Sequence, residues 1–408
     1  MSLRRKLTPS FVGLQLLAGL LGCSGKSDPP VAALAPALAD SKEPASKSPK
    51  PTTDTAPAQK PPGRAAEPAH VTLGRAHMLA GPHPPWGATN REEPEPAPGA
   101  KSLGTQWHLL RTIQVGFGYL SHAELSEDGS QVFVLSDAEG ALRRYDVKTG
   151  KLTGNYPFPE FKEFDSVAFT LFPGSSVPTR VLVSGPRVSG VLDLESGKFS
   201  FVYPYSTELR FSGRPHLLGF AVQLIEPQSG SLDLVWFDRP DQPELAARFG
   251  FDERPDNWVL SRDGKTLLTL FYPSNQLEVV DLQSHAVRLV VTAPQYARGL
   301  ALSPDGKWVA VGGAVLRLYD AATGNLVAED ASFKNNIHEA RFTPDGALLL
   351  VSAYDGRARS FVMKDGELGA KQLLQHNGTA NVYALGLNAL GARLVTASGD
   401  KTIKIWQR

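Results

Sequence analysis

From Thr105 to Arg408 the chain is written in short apolar runs separated by Gly, Asp, Asn and Pro. Trp308–Gly313 (WVAVGG), Leu348–Ala353 (LLLVSA) and Leu394–Ser398 (LVTAS) are three of these runs. Runs this short, rich in Val, Leu and aromatic residues and bounded by turn formers, predict β-strands rather than helices. The turns themselves repeat. Ser126–Gly129 (SEDG), Ser261–Gly264 (SRDG), Ser303–Gly306 (SPDG) and Thr343–Gly346 (TPDG) each join two apolar runs. In each, Pro or a polar residue presets the bend, Asp bonds the backbone and Gly ends it.

A later strand in each unit ends in an aromatic or aliphatic residue, commonly followed by Asp. The series is Tyr145-Asp146, Leu192-Asp193, Phe237-Asp238, Val280-Asp281, Tyr319-Asp320, Phe361-Val362 and Trp406-Gln407, spaced by roughly 39 to 47 residues. That spacing fits units of four short strands. Second turns at Lys148–Lys151 (KTGK), Glu195–Lys198 (ESGK) and Ala322–Asn325 (ATGN) lead into an outer fourth strand. The last unit has no such strand after Trp406. The strand-like Trp107–Val115 (WHLLRTIQV) is expected to supply it and so close the set, which avoids unpaired sheet edges.

Leu394–Trp406 (LVTASGDKTIKIW) resembles the end of a WD-repeat, and the middle units are similar to YVTN-type repeats as well. The resemblance covers about three quarters of the chain, all of it after the Pro-rich segment. It implies an all-β fold, a seven-bladed β-propeller over residues 105–408 closed by an N-terminal strand. In the WD family an Asp before the third strand joins a Ser/Thr, a His and a Trp inside the blade. Asp400 and Asp355 match that Asp and Glu139 stands in its place in the first unit. The resemblance therefore implies a blade network of Ser398, Asp400 and Trp406, with His376 as its candidate histidine. Units two and three depart from the pattern, with LFPGSS and IEPQSGS in place of the clean turn.

The N-terminal quarter has a different texture. Arg4, Arg5 and Lys6 precede an apolar run, Phe11–Leu21, that is too short to span a bilayer as a helix. Leu20, Leu21, Gly22 and Cys23 follow, which resembles the bacterial lipobox and implies a signal peptide over 1–22 with acylation at Cys23. Each buried methylene of such an anchor is worth about 0.8 kcal/mol. Residues 23–104 are rich in Pro, Ala, Lys, Ser and Glu and poor in aromatic and β-branched residues. Such a stretch buries too little apolar surface to offset its ordering entropy, so a lipidated, disordered Pro/Ala-rich linker is expected. Ser24, rather than Asp, after the cysteine favours the outer membrane over the inner, with a periplasmic or surface-exposed head.

Charge and cysteine content narrow the chemistry. Lys and Arg number 42 and Asp and Glu 41, so no net field draws nucleic acid. Cys23 is the single cysteine, which removes disulfides, thiolate metal sites and a cysteine nucleophile from the folded part. No HExxH, GxSxG, Walker loop or paired CxxC is present.

Aligning the turns places one residue per unit at the start of each innermost strand: Ser121, Asp165, His216, Asp256, Arg298, His338 and Tyr383. Two positions earlier stand Tyr119, Glu163, Arg214, Arg254, Tyr296, Asn336 and Asn381, and the column between is apolar from Leu120 to Val382. This polar–apolar–polar pattern suits a strand edge with one side in the core. The ring has three readings. It is a protein-binding surface, since aromatics and Arg are common hot-spot residues. It is an enzyme site in which His216, His338, Asp165 and Asp256 serve as acid–base groups or metal ligands, as in lactonase-like propellers. Or it is a wet channel lined by polar residues bonded to their neighbours. The first is preferred: a noncatalytic, monomeric scaffold for other envelope or surface proteins, with no cofactor and no metal.

Overall fold

The computed structural model describes residues 76–80 and 103–408, apart from 117–119, 137–138, 159–167, 173–175, 186–187, 205–207, 212–216, 224–229, 237–243, 252–254, 262, 272–273 and 285. Backbone pairing alone is described for 76–80 and 201–248. All of these residues belong to the unit His70–Arg408, distinct from Met1–Ala69. The signal-peptide and Cys23 expectations thus lie outside the described residues.

Every described element is a β-strand. First come β1 (Ala76–Ala80) and β2 (His108–Gln114). Sheet I is β3 (His122–Leu125), β4 (Gln131–Ser136), β5 (Ala141–Asp146) and β6 (Leu152–Pro157). Sheet II is β7 (Ala168–Leu171), β8 (Arg180–Gly185), β9 (Val188–Asp193) and β10 (Phe199–Pro204). Sheet III holds β11 (Glu208–Phe211), β12 (Leu217–Gln223), β13 (Gly230–Trp236) and β14 (Glu244–Phe251). Sheet IV is β15 (Asn257–Leu260), β16 (Thr266–Phe271), β17 (Gln276–Asp281) and β18 (Ala286–Thr292). Sheet V is β19 (Gly299–Leu302), β20 (Trp308–Gly312), β21 (Leu316–Asp320) and β22 (Leu326–Asp330). Sheet VI is β23 (Ile337–Phe342), β24 (Leu348–Ala353), β25 (Arg357–Lys364) and β26 (Glu367–Gln375). Sheet VII holds β27 (Val382–Leu387), β28 (Arg393–Ser398) and β29 (Thr402–Gln407).

Each sheet is an open antiparallel meander, an arrangement consistent with the blades of a propeller. The inner strands touch in succession, β3 to β7, β11, β15, β19, β23 and β27, and β27 also touches β3. Apolar faces of adjacent sheets fill the space between them, as where Leu268, Leu270 and Val279 of sheet IV meet Leu300, Val309 and Val311 of sheet V.

The expected turns form, and the side chains explain them. In Ser126–Gly129 the Ser126 hydroxyl donates to Asp128 Oδ1 at 2.7 Å, and Gly129 adopts φ +70°. Ser261, Ser303 and Thr343 repeat the clasp on Asp263, Asp305 and Asp345, each at 2.6 Å. The Asp that closes the third strand caps the next turn. Asp146 accepts the Thr149 N–H and hydroxyl at 2.7 and 2.6 Å, and Asp320 does the same for Thr323 at 2.7 and 2.8 Å.

β2 pairs antiparallel with β29, with Leu109 opposite Trp406 and Gln114 opposite Thr402, so sheet VII takes its fourth strand from the N-terminal side. One element departs from the sequence expectation. Ala76–Ala80 falls inside the stretch read as unstructured linker, yet it forms β1 on the outer edge of β14, Ala76 opposite Phe251. An unpaired edge strand is a template for any extended segment within reach, and AHMLA lacks the proline that marks its surroundings.

Candidate functional site

The starts of the inner strands in sheets IV to VII and I hold the candidate residues that are described. The described members of the apolar column are buried as expected: Leu120, Ile337 and Val382 are 0% exposed and Ala297 5%. Its polar neighbours differ among themselves. Asp256, Tyr296 and Arg298 are exposed, His338, Asn381 and Tyr383 are half-buried, and Ser121 is buried. Tyr119, Asp165, Arg214 and His216 lie outside the described residues.

Three rings gather on sheets VI and VII. His338 lies 5.2 Å from Tyr354 and 6.0 Å from Tyr383 between ring centroids, and the two tyrosines are 5.8 Å apart. Two of the three pairs are edge-to-face, the geometry favoured by ring quadrupoles. His338 Nδ1 is 2.6 Å from the Tyr383 carbonyl, which only accepts, so this nitrogen carries the proton in the neutral ring. Asn381 Nδ2 donates to the Tyr383 hydroxyl at 3.3 Å. Burial raises the Tyr354 phenol above its ordinary pKa, and the charge of Arg298 beside it works against that rise. Across the sheet boundary, Asn257 Nδ2 donates to the Arg298 carbonyl.

Tyr354 is absent from the sequence-derived ring because it lies on the turn after the second strand, not at the start of an inner one. The signal was adjacent: it directly precedes Asp355, the residue already aligned with Asp400.

Tyr296, just before β19, is held in an unusual backbone conformation, φ +56°, sparsely populated by bulky side chains. The turn that imposes it is pressed on Gly313. A Cβ there would stand 2.4 Å from the Gln295 carbonyl oxygen. Ala314 N–H donates to that oxygen at 2.9 Å, and Arg298 N–H to the Gly312 carbonyl at 2.8 Å.

The blade network of sheet VII forms around a different hydroxyl from the one expected. Trp406 Nε1 donates to Thr396 Oγ1 at 3.0 Å, and Thr396 Oγ1 is 2.7 Å from His376 Nε2. His376 Nδ1 faces Asp400 Oδ2 at 3.3 Å. With Thr396 receiving the indole proton, its own O–H points at Nε2, and the histidine proton sits on Nδ1 toward the carboxylate. Asp400 also accepts the Thr402 hydroxyl at 2.6 Å and the Asn377 N–H at 2.9 Å. Ser398, the residue chosen from sequence, instead accepts the Asp400 N–H at 3.2 Å and donates to the Ala380 carbonyl at 3.3 Å. Burial lowers the His376 pKa to about 4, partly offset by Asp400. Burial would raise the Asp400 carboxyl, but its hydrogen bonds from Thr402 and Asn377 and its histidine partner hold it below the usual range.

The outlying tryptophans belong to packing. Trp258 is fully buried, and its Nε1 meets no hydrogen-bond partner among the described residues. Trp308 packs under Gly366.

Comparison with known proteins agrees with the geometry of sheet VII. The family model "WD domain, G-beta repeat" matches residues 370–407, which contain β29, its tryptophan and the His376 network. Over 84 residues, 20% of this chain, the sequence is 37% identical to "WD repeat-containing protein 1" of Xenopus tropicalis. That match covers 13% of the Xenopus protein, so the chain resembles a small part of it. Residues 370–407 are a WD40 repeat, set in an all-β array of antiparallel sheets.

Proposed function

We propose that this chain is a seven-bladed β-propeller that serves as a noncatalytic protein-binding platform, and that acylation at Cys23 anchors it in a bacterial cell envelope. Support for the ring comes from the inner-strand contacts that run from β3 round to β27 and back, and from β2 joining β29. Support for the anchor comes from the basic, apolar and Gly-Cys sequence of the first 23 residues.

The observation that carries the binding reading is the edge of sheets V to VII. There a 55% exposed Tyr296 on a backbone-clamped turn lies two residues before Arg298, which neighbours Tyr354 of the His338–Tyr354–Tyr383 rings. Rigid aromatics and an exposed Arg on a stiff scaffold make a surface that binds without paying much ordering entropy. His338, in contrast, is held by a neighbouring strand's carbonyl and two rings, an arrangement that orients it for packing.

The test is affinity purification of the full chain from membranes. Tyr296→Ala is expected to lose co-purifying proteins that the unaltered chain retains, with unfolding temperature unchanged. Identical partner profiles for the two proteins would overturn the binding reading. Separately, Cys23→Ala should move the protein from the membrane to the soluble fraction; unchanged fractionation removes the anchor.

A further inference from the structure

We infer that the edge formed by sheets V to VII binds an acidic, extended peptide, selected by Arg298, Lys334 and Lys401 around the three-ring cluster. The inference rests on the protein-binding reading above and adds the chemistry of the partner.

The chain as a whole is nearly neutral, +1, yet this edge is not. Arg298, Lys334 and Lys401 are all exposed. Arg298 neighbours the Tyr354 phenol, Lys334 donates its backbone N–H at 3.3 Å to Oδ2 of Asp355, the residue after Tyr354, and Gly399, two residues before Lys401, lies against the Tyr383 ring. The carboxylates of the same turns are turned inward. Asp355 is bound by Arg359, both side chains 2% exposed, and Asp400 is taken up by Thr402, Asn377 and His376. Three cations therefore face solvent at turns whose own acids, Asp355 and Asp400, do not, while the exposed Asp256 belongs to the neighbouring sheet IV. Such a field steers and selects an anionic partner.

Ring geometry decides between anions. Nucleic-acid bases stack on open aromatic faces. Here His338, Tyr354 and Tyr383 turn edges and faces on one another at 5.2 to 6.0 Å and are half-buried, so they form a wall rather than a stacking platform. A wall of this kind accommodates proline rings and aliphatic side chains of an extended peptide, whose carboxylates reach the flanking cations. Tyr296 supplies the exposed anchor. Its left-handed conformation is strained, and a strained exposed aromatic is a feature of ligand clamps.

The experiment uses the full chain and a fluorescein-labelled twelve-residue peptide of alternating Glu and Pro, read by anisotropy. Binding is expected for the unaltered protein, with affinity falling as salt rises. Arg298→Glu should weaken it at least about tenfold, and Lys334→Glu with Lys401→Glu by a similar factor, each with an unchanged unfolding temperature. A Lys-Pro peptide of the same length should not bind. Equal binding of the two peptides, no effect of Arg298→Glu, or displacement of the acidic peptide by a twelve-nucleotide oligothymidylate would each overturn the inference. Absence of Glu-Pro binding, alongside partner loss in Tyr296→Ala, removes the acidic chemistry and leaves the scaffold standing.

Discussion

Sheets VI and VII place an aspartate at the same turn and satisfy it in opposite ways. In sheet VII, Asp400 meets a neutral, buried His376 and the Thr402 hydroxyl, and His376 in turn reaches Thr396 and, through it, the Trp406 indole. In sheet VI, Asp355 meets Arg359 through the two terminal guanidinium nitrogens, and that guanidinium lies 4.1 Å from the centroid of the Phe333 ring. The tryptophan of sheet VI is borrowed: Trp107, from the segment before β2, donates Nε1 to Ser360 Oγ at 3.1 Å. One position, then, accepts either a relay of neutral donors or a permanent cation. What the turn requires is that a buried carboxylate be filled with donors. It does not require the WD-type set of residues. The backbone course of sheet VI nonetheless matches that of sheet VII.

Arg359→Ala should produce the largest loss in this comparison. It leaves Asp355 buried without its counter-charge, and about 3–5 kcal/mol of stability is expected to go. Urea denaturation measures it; a loss under about 1 kcal/mol would mean that water reaches the carboxylate.

The second test is pH. His376 has a folded pKa of about 4 against 6.5 unfolded. Between these values the unfolded chain binds a proton that the folded one does not. Stability contributed by the neutral histidine is therefore complete above about pH 6.5 and is lost as pH falls toward 4, by roughly 3 kcal/mol in all. His376→Leu should flatten that part of the stability–pH curve, whereas Arg359 variants should leave its slope intact. A curve unchanged by His376→Leu would show that the histidine is not the titrating group.

Arg408 joins the two sheets. It pairs with Asp345 at 2.7 Å, donates to the Gly391 carbonyl at 2.6 Å and lies over the Trp107 ring at 5.4 Å. Arg408→Ala is expected to cost about 2 kcal/mol by denaturation, because the guanidinium is buried and held by an ion pair, backbone carbonyls and an aromatic ring. The smallest effect belongs to Trp406→Phe. It removes the indole donor but leaves Thr396 bonded to His376, so about 1 kcal/mol is expected. A loss several times larger would place ring packing above the hydrogen bond.

Much of this architecture was written locally. Strand runs, the Ser/Thr–x–Asp–Gly turns and the closing Asp of the third strand depend on neighbours within a few residues, and the structure places them where the repeat does. So does the polar–apolar–polar edge, since alternation along a strand fixes which side enters the core. The pairing of Trp107–Val115 with the last strand followed from counting strands per unit. Other features rested on distance in the fold. Thr396 and Ser398 point to the same face of β28, two residues apart, and only the height of His376 against that strand decides which hydroxyl joins the network. Tyr354 reaches His338 and Tyr383 because a turn of one strand pair leans over the start of the next. Ala76–Ala80 becomes a strand because β14 offers an edge, not because its own residues demand one.

The amino-acid sequence by itself determined the elements, their turns and their repetition, because hydrogen bonds within a turn and side-chain alternation are short-range. Tertiary structure alone decided which hydroxyl, which ring and which cation meet, because those contacts join residues from different strands at distances that no local pattern encodes.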